Sequence, residues 1–354
     1  MRGEYSLLRY QLKGYLFEII LLELLRRNGF SVIDPDKEPG DRVRENRETF
    51  IEFKGRGCWH QIDCPCDYGR FIPFSYPLRL LGEVKFYATP LDKKYIRAFI
   101  GVIKDIQENY FVPDGLNLNN AYPRRMEIGA YFAANGFQEE AEKLAYAHGI
   151  KTISYANNYL IDQIKKHILV LEENYLSVKC MQNGNWSDFQ RRFARFLAPD
   201  YFDEDIIRPY RLYWSDGYQE VLRDLKEQMQ AIQTSFIGTT ITGVFIHFVG
   251  TEPFPANLFQ GSDEGRCRVY YEYDNLGKRY FWLEVSEDPR HRRFYFTPPE
   301  SLDYAALFGN EIVLGEKERL FRALNVNISL NGISRNLVLK IDRDWLDLMH
   351  DQNR

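Results

Sequence analysis

No segment of this 354-residue chain is apolar for long enough to suggest a bilayer span. The nearest approach, Tyr15 to Leu25, falls short of the ~20 residues a spanning helix needs and contains Glu18 and Glu23. Cysteine is scarce, five residues and an odd number, which excludes a disulfide-built scaffold. No leader segment is legible, and a reducing cytoplasm is the expected compartment by default. Excess positive charge is missing too: 46 Lys and Arg against 50 Asp and Glu leave a net charge of −4. That excludes a globally basic nucleic-acid binder, so any such surface has to be a local patch. Also absent are a glycine-rich phosphate loop, a Gly-x-Ser-x-Gly elbow, a His-Glu-x-x-His zinc helix and internal repeats.

What is present describes a core-forming globular chain, 45% apolar and 27% charged. Its length exceeds one average domain and predicts two. The 24 Tyr and 25 Phe suit base stacking, but filling a core is the plainer use for most of them. The first half is close to neutral and the second half acidic, which agrees with a nuclease face in the first without requiring it.

Hydrophobic periodicity predicts a helix over Leu7 to Arg27, ended by Asn28-Gly29. A short strand follows at Phe30 to Ile33, then a charged loop or insertion from Asp34 to Glu48. Further strands are predicted at Thr49 to Phe53, Trp59 to Cys64 and Leu78 to Tyr87. Asp92 to Asn109 reads as a helix with Ile96, Phe99, Ile100, Ile103 and Ile106 on one face. Strand Glu127 to Ala133, helix Gln138 to His148, strand Ile150 to Ser154 and helix Asn158 to Glu173 complete this part. Such alternation implies a mixed α/β sheet flanked by helices, in a domain covering about residues 1–165.

From about residue 175 to 354 a second, β-rich α+β domain is predicted. It begins with helices near Trp186 to Leu197 and Gln219 to Gln233. A β-branched stretch, Ile237 to Val249, precedes paired strands Arg268 to Tyr273 and Arg279 to Val285. Another hairpin is expected across Asn325 to Ile341, turning at Asn331-Gly332.

Chemistry concentrates in Gln61-Ile62-Asp63 and Gly82-Glu83-Val84-Lys85, each on a predicted strand. The two-residue pleat puts Glu83 and Lys85 on one face and Val84 on the other. Two carboxylates and a cation on neighbouring strands are what phosphodiester hydrolysis needs around Mg²⁺, which prefers a few carboxylates, water and substrate phosphate. The main-chain carbonyl of Val84 can reach the same ion. Taken alone, such a pattern also describes a structural salt bridge.

Three runs add context: Gly14-Tyr15-Leu16-Phe17-Glu18, Arg56 to Asp63, and Leu80-Leu81-Gly82-Glu83-Val84-Lys85-Phe86. With Tyr95 to Val102, Glu127 to Phe132 and Glu140 to Ala145, they resemble the PD-(D/E)xK nuclease superfamily, and most closely its Mrr-like restriction endonuclease branch. The resemblance covers roughly residues 7 to 160. It implies a restriction-endonuclease-like fold, Asp63 and Glu83 as Mg²⁺ ligands (Mn²⁺ substituting), Lys85 as the catalytic cation and Glu18 as an accessory acid. It also implies endonuclease activity on DNA in restriction or anti-phage defence, with RNA or branched DNA as the alternative substrate. A non-cleaving nucleic-acid-binding or sensor protein is the rival from another class. A single such site cuts one strand, so a homodimer is expected. Two departures stand out: Ile62 replaces the usual proline before Asp63, and the Asp63-to-Glu83 spacing is long, with an insertion around Phe71 to Pro77.

His60 and Gln61 are expected to flank the centre, though a packed strand histidine is as good a reading of His60. Cys58, His60, Cys64 and Cys66 invite a zinc site, but the spacing is poor and alternate strand residues cannot all converge on one ion. Buried thiols are the better reading. Arg124-Arg125, Arg292-Arg293 within the basic run from Arg290, and Arg191, Arg192 and Arg195 are candidates for DNA-backbone contact, with a solvated face the plainer explanation of each. Asp203-Glu204-Asp205 reads as a surface loop.

Overall fold

The computed structural model describes residues 9–46, 50–69, 74–110, 124–176, 183–201, 203–259, 261–299, 321–330 and 333–352. The predicted turn at Asn331-Gly332, and much of the insertion before Pro77, lie outside them. The first helix, α1 (Arg9–Arg27), leads into β1 (Phe30–Val32). Three short strands, β2 (Val43–Glu45), β3 (Ile51–Lys54) and β4 (Trp59–Gln61), make a small antiparallel sheet. Then come β5 (Cys64–Tyr68), β6 (Leu78–Lys85), α2 (Lys93–Gln107), β7 (Met126–Ala133), α3 (Glu139–Ala147), β8 (Lys151–Ser154) and α4 (Tyr159–Asn174).

The central sheet has the order β1-β5-β6-β7-β8. Strands β6, β7 and β8 are parallel, joined by crossover helices α2 and α3, while β5 runs antiparallel to β1 and β6. Helix α2 forms because Ile96, Phe99, Ile103 and Ile106 recur at helical spacing and Asp92 caps its start by accepting the Lys94 N–H at 2.8 Å. Those four side chains are buried with Leu81, Tyr131, Phe53 and Ile62 on one side of the sheet. At about 1.5–3 kcal/mol per buried side chain, this packing, rather than intrinsic helix propensity, holds α2 in place. On the other side, Leu80, Val84, Cys64 and Cys66 meet α1 and α4.

The predicted strand Trp59 to Cys64 is in fact two strands in different sheets. The Ile62 N–H still pairs with Ile51 in the small sheet, whereas Cys64 pairs with Gly82 in the central one. Asp63 sits at the crossing. Similarly, the loop read from Asp34 to Glu48 carries a 3-10 turn at Pro35–Lys37 and strand β2.

Beyond α4 lie α5 (Asn183–Leu197), a 3-10 segment at Glu204–Tyr213 and α6 (Tyr218–Ala231). The segment read as an acidic surface loop starts this 3-10 helix, with Asp203 capping it through the Asp205 N–H. Seven strands then close a barrel: β9 (Thr234–Thr240), β10 (Phe245–Gly250), β11 (Glu264–Tyr273), β12 (Arg279–Val285), β13 (Phe294–Phe296), β14 (Leu324–Leu330) and β15 (Ile333–Ile341), followed by α7 (Arg343–Gln352). Their order is β10-β13-β12-β11-β15-β14-β9, with only β11 and β15 parallel. The barrel's own core is aromatic, built on Phe236, Phe248, Phe281, Phe294 and Phe296.

The β-rich half and the α/β half share buried contacts. One hydrophobic cluster runs from Leu12 on α1 through α4, α5 and α6 to Trp282 and Tyr295 on the barrel. At their junction the Tyr155 hydroxyl and His247 Nδ1 are 2.7 Å apart, and His247 Nε2 lies 2.8 Å from Ser235 Oγ. Burial lowers the His247 pKa to about 4, so this imidazole is neutral near pH 7. Among the described residues no helix is long and apolar enough to cross a membrane.

Candidate active site

Asp63 is the residue on which the site is built. Its Oδ2 accepts the Val84 N–H at 3.1 Å and a hydrogen bond from Lys85 Nζ at 3.0 Å. Lys85 Nζ also lies 2.6 Å from Glu83 Oε1. This geometry depends on β5 and β6 approaching closely beside Asp63. A Cβ on Gly82 would stand 2.7 Å from the Cys64 Cβ, too near for any real side chain, so glycine at this position permits the pairing. The alternation expected along β6 holds: Val84 is buried against α1, while Glu83 and Lys85 keep 22% and 25% of their side chains exposed.

Glu18 joins them from α1. Burial first, then repulsion from Asp63, holds its carboxyl well above the usual carboxylate range. Glu83 is raised to about 7 for the same two reasons, with Lys85 opposing. For Lys85, burial pulls the ammonium's pKa down, but Asp63 and Glu83 together outweigh it and the net shift is upward. Tyr131, paired in register with Glu83, has its phenol raised by burial and then by the Glu83 charge. Three carboxyls therefore crowd one ammonium. The crowding is relieved by protons that Glu18 and Glu83 keep above the usual carboxylate range.

That crowding has a measurable consequence in metal-free protein. Folded Glu83 holds its proton to about pH 7, whereas the unfolded chain releases it near 4.5. Its contribution to stability is thus fully present below the unfolded value and is lost as pH rises through the folded one. In chelator, the melting temperature is expected to fall from about pH 5 to 8, with Glu83→Gln removing on the order of 1–3 kcal/mol of that slope. Parallel profiles for the two proteins would contradict it.

A cleft of about 460 Å³ opens onto Asp63 and Glu18. Its size suits ligand binding. Phe50, Ile51 and Ile62 line it as apolar residues, and α5 supplies Gln190, Arg191 and Arg195 to the same lining, with Arg26 from α1. Arg191 lies 3.6 Å from Asp188, Arg26 pairs with Glu23, and the Arg195 guanidinium stacks on Tyr201. A larger cavity, about 590 Å³, lies between the central sheet and the barrel, lined by Leu78, Leu80, Phe132 and Asn327 among others. Leu78 and Leu80 point to the face opposite Glu83 and Lys85, so that cavity is not part of the acidic site.

The other sequence candidates lie elsewhere. His60 Nε2 is 2.7 Å from Asp105 Oδ2, and Gln61 is exposed on β4; neither lines the cleft. Cys64 and Cys66 are buried thiols, as expected, and Cys58 is exposed. Arg124 stacks on Tyr110 at 4.3 Å, and Arg125 lies 3.8 Å from Glu38 and 3.9 Å from Asp67. Arg292 faces Glu252 and Asp288 on the barrel, and Arg293 stacks on Trp282 and lies 3.8 Å from Glu272. Arg191 and Arg195, named from the sequence as backbone candidates, line the Asp63 cleft, whereas neither their nearness to Asp63 nor Tyr131 beside Glu83 was singled out. The only available signal was the Arg191/Arg195 spacing of four, one helical turn.

No known family matches the sequence, and no curated protein matches it. Among solved structures the chain is similar to the crystal structure of AF1548, a protein of unknown function. Identity is 15%, 61% of this chain and 97% of that one are covered, and the TM-score is 0.32. A likeness that loose carries no argument about fold or activity.

Proposed function

We propose that the chain is a divalent-metal-dependent endonuclease acting on DNA, with Asp63 and Glu83 as ligands and Lys85 as the catalytic cation. The supporting observation is the meeting of these three side chains, from two separate sequence segments, with Asp63 also lining an open cleft. The donor set fits a hard cation: all oxygen, from two or three carboxyl groups whose crowding a cation would relieve. Asp63 and Glu83, with the Val84 carbonyl, would hold it, and Glu18 would stand by them as an accessory acid. When bound, such an ion neutralises charge on the phosphate and lowers the pKa of an attacking water.

The chain's own groups do the rest. Once the acids engage a cation, the Lys85 ammonium is released to face the scissile phosphate or the attacking water. Arg191 and Arg195, lining the same cleft as Asp63, would hold a phosphodiester backbone as positive charges on a protein of net negative charge. This local basic wall favours a nucleic acid over a small phosphoester. Restriction-endonuclease-like architecture and a role in anti-phage defence belong to the same proposal and rest on the sequence resemblance.

Each chain offers one such site, so double-strand cleavage implies a homodimer. Supercoiled plasmid incubated with the protein and Mg²⁺ or Mn²⁺ is expected to yield nicked and then linear DNA, with none in chelator. Light scattering is expected to give twice the 41.9 kDa chain mass. Binding without cutting would favour the non-cleaving sensor, and cutting confined to RNA or branched DNA would change the substrate. Efficient linearisation by a monomer would remove the dimer.

A further inference from the structure

The turn between β3 and β4 gathers a second set of metal-ligating atoms, of different chemistry from the acidic site. Cys58 Sγ lies 3.5 Å from His60 Nε2, and the same nitrogen lies 2.7 Å from Asp105 Oδ2, on α2. One atom each from Cys58, His60 and Asp105 can be chosen so that all lie within 4.8 Å of one another. Cys58 is exposed, and the His60 and Asp105 side chains are 17% and 26% exposed, so an ion can reach them from solvent.

Two nearby backbone features shape this cluster. A Cβ on Gly55 would stand 1.9 Å from Asp105 Oδ2 and 3.0 Å from His60 Nε2, so a side chain there would fill the space the carboxylate occupies. The Gly57 N–H, 3.1 Å from Asp105 Oδ1, fixes the carboxylate's orientation, and the Arg56 N–H bonds the Asp105 carbonyl at 3.1 Å. The turn is thereby docked on α2.

A nucleophilic Cys-His-Asp relay does not fit this geometry. It would need thiol and carboxylate on opposite ring nitrogens, and here both approach Nε2 most closely. Convergence on one nitrogen suits a shared ion instead. Around a tetrahedral Zn²⁺ with Zn–S of ~2.3 Å and Zn–N of ~2.0 Å, sulfur and nitrogen stand roughly 3.5 Å apart, and nitrogen and oxygen roughly 3.3 Å. The thiol is already at that separation, and the carboxylate has to withdraw by about 0.6 Å as its hydrogen bond to His60 is exchanged for the ion.

We propose that Cys58, His60 and Asp105 form a binding site for Zn²⁺ or a similar borderline transition ion, with water or a further ligand in the fourth position. The thiolate excludes Mg²⁺ as the natural occupant, as the all-oxygen set at Asp63 favours it. On uptake the Cys58 thiol gives its proton to solvent as the metal–sulfur bond forms, and His60 offers the Nε2 lone pair with its proton on Nδ1. The ion clips the β3–β4 turn to α2. Because β4 runs on through Ile62 into Asp63, the clip anchors the segment that carries the first acid of the other site.

Full-length protein stripped by chelator and titrated with Co²⁺ tests this without reference to nuclease activity. One thiolate-bound Co²⁺ per chain is expected, with a near-ultraviolet thiolate-to-cobalt band and visible ligand-field bands of tetrahedral intensity, displaced by Zn²⁺. Cys58→Ser should abolish the thiolate band, and His60→Ala should weaken binding by at least about 100-fold. Gly55→Ala should also weaken it by crowding Asp105. Asp63→Asn should leave the band unchanged, which separates this site from the acidic one. Cys58 is exposed, so its serine variant is expected to fold, as circular dichroism would register. Equal Co²⁺ affinity in wild type and Cys58→Ser, or no thiolate band in folded wild type, would overturn the proposal.

Discussion

Asp63→Asn is expected to cut metal-dependent plasmid cleavage by at least about 10³-fold, or ~4 kcal/mol of transition-state stabilisation, while leaving the protein folded. Asparagine is isosteric, and its amide oxygen can still accept the Val84 N–H, the bond that ties the start of β5 to β6. Glu83 still pairs with Lys85. What is lost is one negative charge at the point where the cation and the lysine meet. Because that charge also raises the Glu18 and Glu83 carboxyls, the variant should show smaller upward shifts in both acids. Plasmid cleavage rate and the melting temperature in chelator check the two halves of this statement. Cleavage retained above a tenth of the wild-type rate would remove Asp63 from the mechanism.

Arg79→Leu carries the largest expected cost to stability. Arg79 lies on the same face of β6 as Glu83 and is almost fully buried. Its guanidinium forks onto Asp67, with Nε 2.8 Å from Oδ1 and Nη2 2.9 Å from Oδ2, and Nη2 also reaches Glu38 Oε1 at 2.8 Å. Bidentate pairing of this kind is geometrically specific to arginine. Leucine leaves two carboxylates facing each other with Arg125 more distant as compensation. Removing one member of such a buried network costs about 3–5 kcal/mol. For a chain of this size that is a fall of roughly 10 °C in melting temperature. Arg79→Lys should recover only part of it. A change below about 1 kcal/mol by denaturant unfolding would show that the network is dispensable.

The acidic centre was legible because it is local in sequence. Glu83 and Lys85 are two residues apart on one strand, so the pleat alone puts them on one face, and Asp63 lies on the adjoining segment. The break at Ile62-Asp63 was not legible, because apolar alternation continues through it while the chain changes sheets. The Pro209-containing 3-10 helix and three-residue β13 were missed because each is too short or irregular for a periodic signal. Barrel closure was equally hidden. It depends on β9 meeting β14 and on β11 running parallel to β15, pairings between segments some 70 to 90 residues apart that leave no pattern in either one. The same holds for Asp105: 45 residues separate it from His60, so cysteine spacing pointed to Cys64 and Cys66, which packing turns into the core beside α1.

Asp63, before β5, and Glu83, near the end of β6, are the proposed seat of a hard cation. Anomalous diffraction from crystals soaked in Mn²⁺ tests that most directly. A single peak within ~2.0–2.3 Å of carboxylate oxygens from both Asp63 and Glu83, with Lys85 Nζ displaced from Glu83, is the predicted result. A crystal holding Mn²⁺ elsewhere, with the Lys85 ion pairs to Asp63 and Glu83 intact, would contradict it and leave the cluster a structural salt bridge.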